Sequence, residues 1–420
     1  MFIKKLYIKN FKSFKEQEIE LGNFNVLIGA NASGKSNFVQ VFEFLKSLPE
    51  ENLLDAISMQ GGFDYLRNLK SEREEEVKIK IEGLLDTSKL KKSYIFFDIN
   101  FTRYDVKNNP SVSYEIKFSK NSFLKFSEEL NININFKEIS KTAGEKNDEP
   151  IKLVIKILNT NKDVSYDVIS SDDGKINSEN IKSRLKEVLE LYVNLKTELV
   201  LILILNLLEA PAGFPYNISK YNLDPKTIKL ASSIKGKSKL EEDGKNLNII
   251  LKNLLEDENN RQKFFGLVKF VLPFIRNFDF EIAPTKSVLL KINETFLPEN
   301  YLPANFISDG TVNILALIVA LYFEGERIQI FEEPEKNIHP YLISKVIEMM
   351  KDVSQDKQII VTTHNPEVVK YVDKENLLLI FRNKEGFSEI IRPANKKEIK
   401  IFLENQIGLD ELFVQNLLEL

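Results

Sequence analysis

The chain has 420 residues, 58 of them basic and 62 acidic, for a formal net charge of −4, and 43% are hydrophobic. That balance excludes a wholly disordered chain and a uniformly basic nucleic-acid coat, and the length predicts two or three domains, or one large domain with insertions. Cysteine is absent, which excludes disulfide frameworks, thiolate zinc sites and thiol nucleophiles.

Alternation over Phe2–Ile8 and Gln17–Leu21 predicts two strands, and the apolar run Phe24–Ile28 predicts a buried third. The period changes after Lys35. Phe38, Phe42, Leu45 and Leu48 fall at helical spacing, and Pro49 stops the run. Strand signals dominate from Glu75 to Val168, at Val77–Ile81, Tyr94–Ile99, Val112–Phe118 and Ile132–Phe136, and predict an antiparallel layer. Ile181, Leu185, Val188, Tyr192, Leu195, Leu199 and Ile202 then form a heptad-like seam. A seam of about three heptads favours one face of a packed helix over a coiled-coil arm. Further helices are expected at Leu240–Leu255, Arg261–Phe274, Asn313–Phe323 and Ile343–Met350, with strands at Arg327–Phe331, Gln358–Thr362 and Leu377–Phe381. The second half therefore reads as layered α/β with a parallel sheet. The most apolar stretch, Leu199–Leu208, falls well short of the roughly 20 residues of a membrane helix. Met1–Lys15 lacks an apolar leader core. A cytoplasmic chain without a membrane partner is expected.

Gly29-Ala-Asn-Ala-Ser-Gly34-Lys35-Ser36 matches G-x-x-x-x-G-K-[ST] between a strand and a helix. Small residues let backbone N–H groups wrap a polyphosphate, and the helix N-terminus adds a positive dipole end. Lys35 is placed to reach the β- and γ-phosphates, and Ser36 to ligate Mg²⁺. Arg327-Ile-Gln-Ile-Phe331 ends in Glu332-Glu333-Pro334-Glu335. The first carboxylate at such a strand end suits the Mg²⁺ shell, and the second suits the attacking water. The chain has two histidines. His364 follows the strand ending at Thr362, where α/β proteins gather ligands, and is the candidate for the γ-phosphate. His339, beside Pro340, is read as fixing the loop after the carboxylates. Ser308-Asp-Gly310-Thr311 precedes an apolar helix and by itself is an ordinary helix cap.

In this order, the Gly29–Ser36 loop, Ser308–Thr311, the strand ending at Glu332-Glu333 and His364 resemble the ABC-type ATPases of the SMC/RecF/OLD group. Ile8-Lys-Asn-Phe-Lys-Ser-Phe14 and Glu332-Glu-Pro-Glu335 with Ile338-His-Pro340 strengthen the resemblance, which covers roughly residues 1–60 and 240–420. It implies an α/β fold, a P-loop ABC-ATPase head with an antiparallel β lobe and a short helical insertion. The expected divisions are an N-terminal lobe at 1–168, a mainly helical insertion at 169–245 and a C-terminal lobe at 246–420. The resemblance implies ATP and Mg²⁺ as ligands. Contacts to the nucleotide would come from Gly29, Asn31, Ser33, Gly34, Lys35, Ser36 and Asn37, with Lys12 approaching from the N-terminal turn. Ser36 and Glu332 would hold the metal, and Glu333, His364 and Lys35 would be catalytic. Ser308 and Gly310 would meet the nucleotide of a second copy, so an ATP-dependent homodimer is expected.

Three departures stand out. Glu332 occupies the position of the usual Asp, the signature is Ser-Asp-Gly-Thr, and Gln60 is a weak candidate for the Q-loop glutamine. The span from Ser36 to Ser308 is too short and too strand-rich for a long coiled-coil arm. The segment after His364 is too short for a Toprim nuclease domain. The output expected is DNA handling, in repair or anti-phage defence, or control of a separate nuclease or toxin effector chain. The alternative is an ATP-sensing scaffold with negligible hydrolysis. A transporter ATPase subunit shares the motifs but not the opening or the β-rich insertion. The lysines between Lys226 and Lys239 read as a solvated loop rather than a DNA patch.

Overall fold

The computed structural model describes residues 2–51, 53–72, 75–84, 104–106, 110–120, 124–138, 151–160, 163–171, 178–194, 218–236, 238–284 and 286–393. The chain divides into two compact units that interleave in sequence: residues 1–22, 36–218 and 382–390 form one, and 23–35, 219–381 and 391–420 the other. The expected divisions near 168 and 245 do not coincide with these units. The strand Phe24–Ile28 pairs in parallel with Gln358–Thr363, so an early segment belongs with the C-terminal half.

The first unit is built on an antiparallel sheet. Its strands lie in the order Phe14–Glu20, Phe2–Phe11, Val77–Leu84, Ser111–Lys120, Leu124–Glu138, Ile151–Thr160 and Asp163–Ser170, and Tyr104–Val106 pairs with Leu124–Glu138. Alternate residues are buried along Val77–Leu84 and Ser111–Lys120, as expected of a sheet with one covered face. The helix Lys35–Glu50 buries Phe38, Phe42, Phe44 and Leu45 completely. Phe44 packs between Phe11 and Phe118, with ring centroids 6.1 and 5.6 Å away. Pro49 lies within the last turn instead of ending the helix before it. The helix Ser178–Asn194 buries Ile181, Leu185 and Leu189, as a packed amphipathic helix does. The side chains at 188 and 192, the remaining seam positions (195, 199, 202), the apolar stretch 199–208 and the strand expected at 94–99 lie outside the described residues.

The second unit is built on a sheet whose strands lie in the order Ile218–Tyr221, Ile328–Glu332, Gln358–Thr363, Phe24–Ile28 and Leu377–Arg382. The last four run parallel. Phe24–Ile28 and Gln358–Thr363 are buried at every position, the signature of strands covered on both faces. The helix Asp309–Tyr322 supplies much of that cover. It is buried at every residue from Thr311 to Leu321. The helix Pro340–Val353 adds Ile343, Val346, Ile347 and Met350.

A small antiparallel sheet of Ser232–Ser233, Ser287–Glu294, Ile275–Ala283 and Tyr301–Pro303 completes this unit and was not foreseen from the sequence. The helix expected at Leu240–Leu255 is confined to Leu247–Leu254. Gly244 sits in a turn at φ 76°, and the Leu240 N–H donates to Glu324 Oε1 at 2.7 Å instead of to a helical carbonyl. Among the described residues no helix is long and apolar enough to cross a membrane.

Candidate functional site

Parallel register brings the motifs to one edge of the sheet. Glu332 pairs with Thr362, and Thr363 with Ile28. The carboxylates, His364 and the loop beginning at Gly29 thus leave the sheet side by side, two strand spacings (about 10 Å) across.

Gly29 is dictated by packing, because a Cβ there would collide with the Ile380 carbonyl of the neighbouring strand. The loop then turns through Ala32 at φ 63° and Gly34 at φ 115°, the left-handed region that directs successive N–H groups into an anion-binding concavity. Asn31 and Ser36 are exposed, Asn37 is half-buried in the first helical turn, and Ser33 is buried. Lys35 Nζ lies back along the loop, donating to the Gly29 carbonyl at 2.8 Å and the Ala30 carbonyl at 2.9 Å. Burial pushes its ammonium below the ordinary lysine value, and the Glu333 and Glu335 carboxylates partly offset that.

Across the sheet edge, Glu333 holds φ 46°, an uncommon conformation for a residue with a side chain. Its N–H donates to the Thr362 carbonyl at 2.8 Å. Its Oε1 lies 2.6 Å from His364 Nδ1. The pair foreseen as catalytic is therefore assembled within one chain. Glu332 is engaged by Lys220, whose Nζ is 3.6 Å from Glu332 Oε1 and 2.6 Å from Glu242 Oε1. Lys220 carried no motif and was missed. Glu335 is buried, and the Thr363 hydroxyl donates to its Oε1. Burial raises its carboxyl above the ordinary value; the Thr363 bond opposes the rise and the Glu333 charge adds to it.

Ser308 caps the helix Asp309–Tyr322, its Oγ accepting from the Thr311 N–H at 3.2 Å. Gly310 abuts the loop after the carboxylates, and a Cβ there would stand 2.6 Å from the Asn337 carbonyl oxygen. Asn313 Nδ2 donates to the Lys336 carbonyl at 2.9 Å, tying the same loop to the same helix. Gly310 thus has a packing role within its own chain beside the role the resemblance implies. His339 is the cap of the helix Pro340–Val353, its Nδ1 accepting from the Tyr341 N–H at 3.3 Å. Lys12 lies in the first unit at φ 47°, with Nζ 3.5 Å from the Gln60 carbonyl and its pKa lowered by burial. Gln60 is a turn residue after the helix Leu53–Met59, its N–H donating to the Ile57 carbonyl. Two of the Lys226–Lys239 lysines form ion pairs, Lys229 with Asp309 and Lys239 with Glu326. Among the described residues no group of three or more metal-ligating side chains gathers.

Residues 24–370 match the family model described as "AAA domain, putative AbiEii toxin, Type IV TA system". The chain belongs to this family. Short stretches of it are similar to RecF and SMC proteins. Forty-nine residues are 41% identical to the DNA replication and repair protein RecF of Synechocystis sp., covering 11% of this chain and 13% of that protein. Fifty-six residues are 48% identical to the structural maintenance of chromosomes protein 3 of Arabidopsis thaliana, covering 13% of this chain and 5% of that one. The chain therefore matches only a small part of the length of these relatives. Among solved structures, an Smc head bound to the C-winged helix domain of ScpA aligns over 93% of this chain and 98% of that one, at 17% identity and a TM-score of 0.45.

Proposed function

We propose that this chain is an ATP-hydrolysing switch that closes head to head around ATP. The observation that carries the reading is the Glu333–His364 pair. A residue held in a left-handed conformation presents its carboxylate 2.6 Å from the imidazole, on the sheet edge where the phosphate loop begins. Local strain of this kind persists where the surroundings hold it and gathers at functional sites.

The roles follow from the chemistry. The loop N–H groups and Lys35 Nζ, released from the Gly29 and Ala30 carbonyls, would bind the β- and γ-phosphates. Ser36 and Glu332 are the residues that would hold Mg²⁺, which when bound neutralises developing phosphate charge. Glu333 would orient and polarise a water that adds to the γ-phosphorus while the bridging β–γ P–O bond breaks, giving ADP and inorganic phosphate. With Nδ1 donating to Glu333, His364 would donate from Nε2 to a γ-phosphate oxygen in its doubly protonated form. Ser308 and Gly310 of a second copy would complete the site. Lys12 is proposed as an additional nucleotide contact. DNA handling or control of a separate effector, in repair or anti-phage defence, is the output we propose, since the RecF relative is a DNA replication and repair protein.

The deciding experiment follows solution mass and phosphate release together, with and without Mg-ATP, for wild type, Lys35→Ala and Glu333→Gln. Expected are turnover by wild type, loss of nucleotide binding in Lys35→Ala, and an ATP-stabilised dimer with turnover down on the order of 10²–10³-fold in Glu333→Gln. Unchanged turnover in Glu333→Gln would remove its catalytic role. The second reading, an ATP-sensing scaffold, is favoured by the Lys220–Glu332 contact, which occupies a carboxylate that hydrolysis needs for the metal. It predicts ATP-dependent assembly without phosphate release.

A further inference from the structure

Two segments meet at the site, the loop following Glu332 and the end of the strand Gln358–Thr363. The backbone N–H of Glu333 donates to the Thr362 carbonyl at 2.8 Å. Glu333 Oε1 meets His364 Nδ1 at 2.6 Å. The third rung is buried: the Thr363 hydroxyl donates to Glu335 Oε1 and accepts from the Asn365 N–H at 2.9 Å. Thr363 is fully buried and Glu335 is 6% exposed.

A buried carboxyl is an expensive component, because its charged form loses the solvation of water unless it is paired. The Lys35 ammonium acts on Glu335 only through space, and Glu335 Oε2 is buried with no hydrogen-bond partner. What the carboxyl supplies is direction. It fixes the Thr363 hydroxyl, which fixes the Asn365 N–H, so the residue between them, His364, is held on both sides.

We propose that Glu335 is a positioning residue for the Glu333–His364 pair, its buried bond to Thr363 setting the distance and orientation of His364 relative to Glu333. The inference rests on the reading that this pair carries hydrolysis. Misplacement by about 1 Å at a reacting centre costs on the order of 10²-fold in rate. The effect of losing Glu335 therefore falls on turnover and leaves ATP affinity to the phosphate loop.

The chain's two histidines make a direct test possible. Imidazole NMR of the full chain, labelled at histidine, gives two signals, assigned by His364→Asn. Glu335→Ala and Thr363→Val are expected to move the His364 signal, leave the His339 signal in place, and lower kcat on the order of 10–100-fold with ATP affinity unchanged. Glu335→Gln keeps an acceptor for Thr363 and is expected to restore the His364 signal and most of the turnover. A His364 signal that stays fixed in folded Glu335→Ala or Thr363→Val overturns the proposal. So does a turnover loss that follows weakened ATP binding, or a Glu335→Gln variant no better than Glu335→Ala. Should wild type release no phosphate, the hydrolysis reading fails, and the NMR comparison still decides whether Glu335 positions His364.

Discussion

The two sheets solve burial in different ways. Along Val77–Leu84 and Ser111–Lys120 every second residue is buried and the others stay partly or fully accessible. Along Phe24–Ile28 and Gln358–Thr363 every residue is buried. The antiparallel sheet can therefore place charged residues all along its open face, as Lys78, Glu115 and Lys117 show. The parallel sheet confines most of its reactive groups to strand ends. Gly29, Glu332, Glu333 and His364 are all found there, so the sheet covered on both faces is also the one that gathers the site.

The largest effect that would break this contrast is a charge placed in the parallel sheet. Val361→Asp, at a position with no exposed surface, puts an unpaired carboxylate in the interior. The cost is several kcal/mol, comparable with a whole domain's stability of about 5–15 kcal/mol. The variant is expected to be unfolded by circular dichroism. Lys80→Thr on the open face of the antiparallel sheet should change stability by no more than about 0.5 kcal/mol. A soluble, folded Val361→Asp chain would show that the parallel strands are not the core.

Next in size are the close approaches that hold the site loops. Gly310→Ala places a methyl 2.6 Å from the Asn337 carbonyl oxygen and should destabilise by about 1–3 kcal/mol in urea denaturation. Gly266→Ala, in the helix Glu258–Val271 with open space around it, should stabilise by about 0.4–1 kcal/mol. Equal and small effects at both positions would mean that the contact between Gly310 and Asn337 is loose.

Much of this was legible in the sequence. The strand Phe24–Ile28 and the phosphate loop need residues of specific size at fixed spacing, and the Glu332-Glu333 and His364 positions followed from strand ends. Along Ile275–Ala283, in the small sheet, burial does not alternate and a register shift falls between Ile275 and Asn277, so no period-two pattern marks that strand. The helix at Leu247–Leu254 was overextended because Leu240 continues the apolar spacing past the turn at Gly244. Lys220 and the burial of Glu335 depend on which strands become neighbours, and no local pattern carries that information.

A smaller effect is expected at Lys220, which holds Glu332 from the adjacent strand. Lys220→Met frees that carboxylate. If Glu332 meets Mg²⁺, the Mg²⁺ concentration for half-maximal ATP binding should fall by up to about fivefold, the equivalent of a pair worth roughly 1 kcal/mol. An unchanged midpoint in a folded variant would remove Glu332 from the metal shell.

The smallest effect belongs to the open face of the antiparallel sheet. Glu115 accepts from Lys78 at 2.8 Å and Lys117 at 2.5 Å. Partial burial alone would raise its carboxyl, but the two ammonium groups outweigh burial and hold it below the ordinary value of 4.5. A carboxylate depressed on folding contributes stability that is present above its unfolded pKa and is lost as pH falls through the folded one. Stability should therefore decline as pH drops below about 4.5, and part of that decline should vanish in Glu115→Gln. A double-mutant cycle between Lys78→Ala and Glu115→Ala should return a coupling of about 0.2–1 kcal/mol at neutral pH, shrinking in high salt. A coupling several times larger, insensitive to salt, would show that this face is shielded from water, and the contrast between the two sheets would then lose its basis.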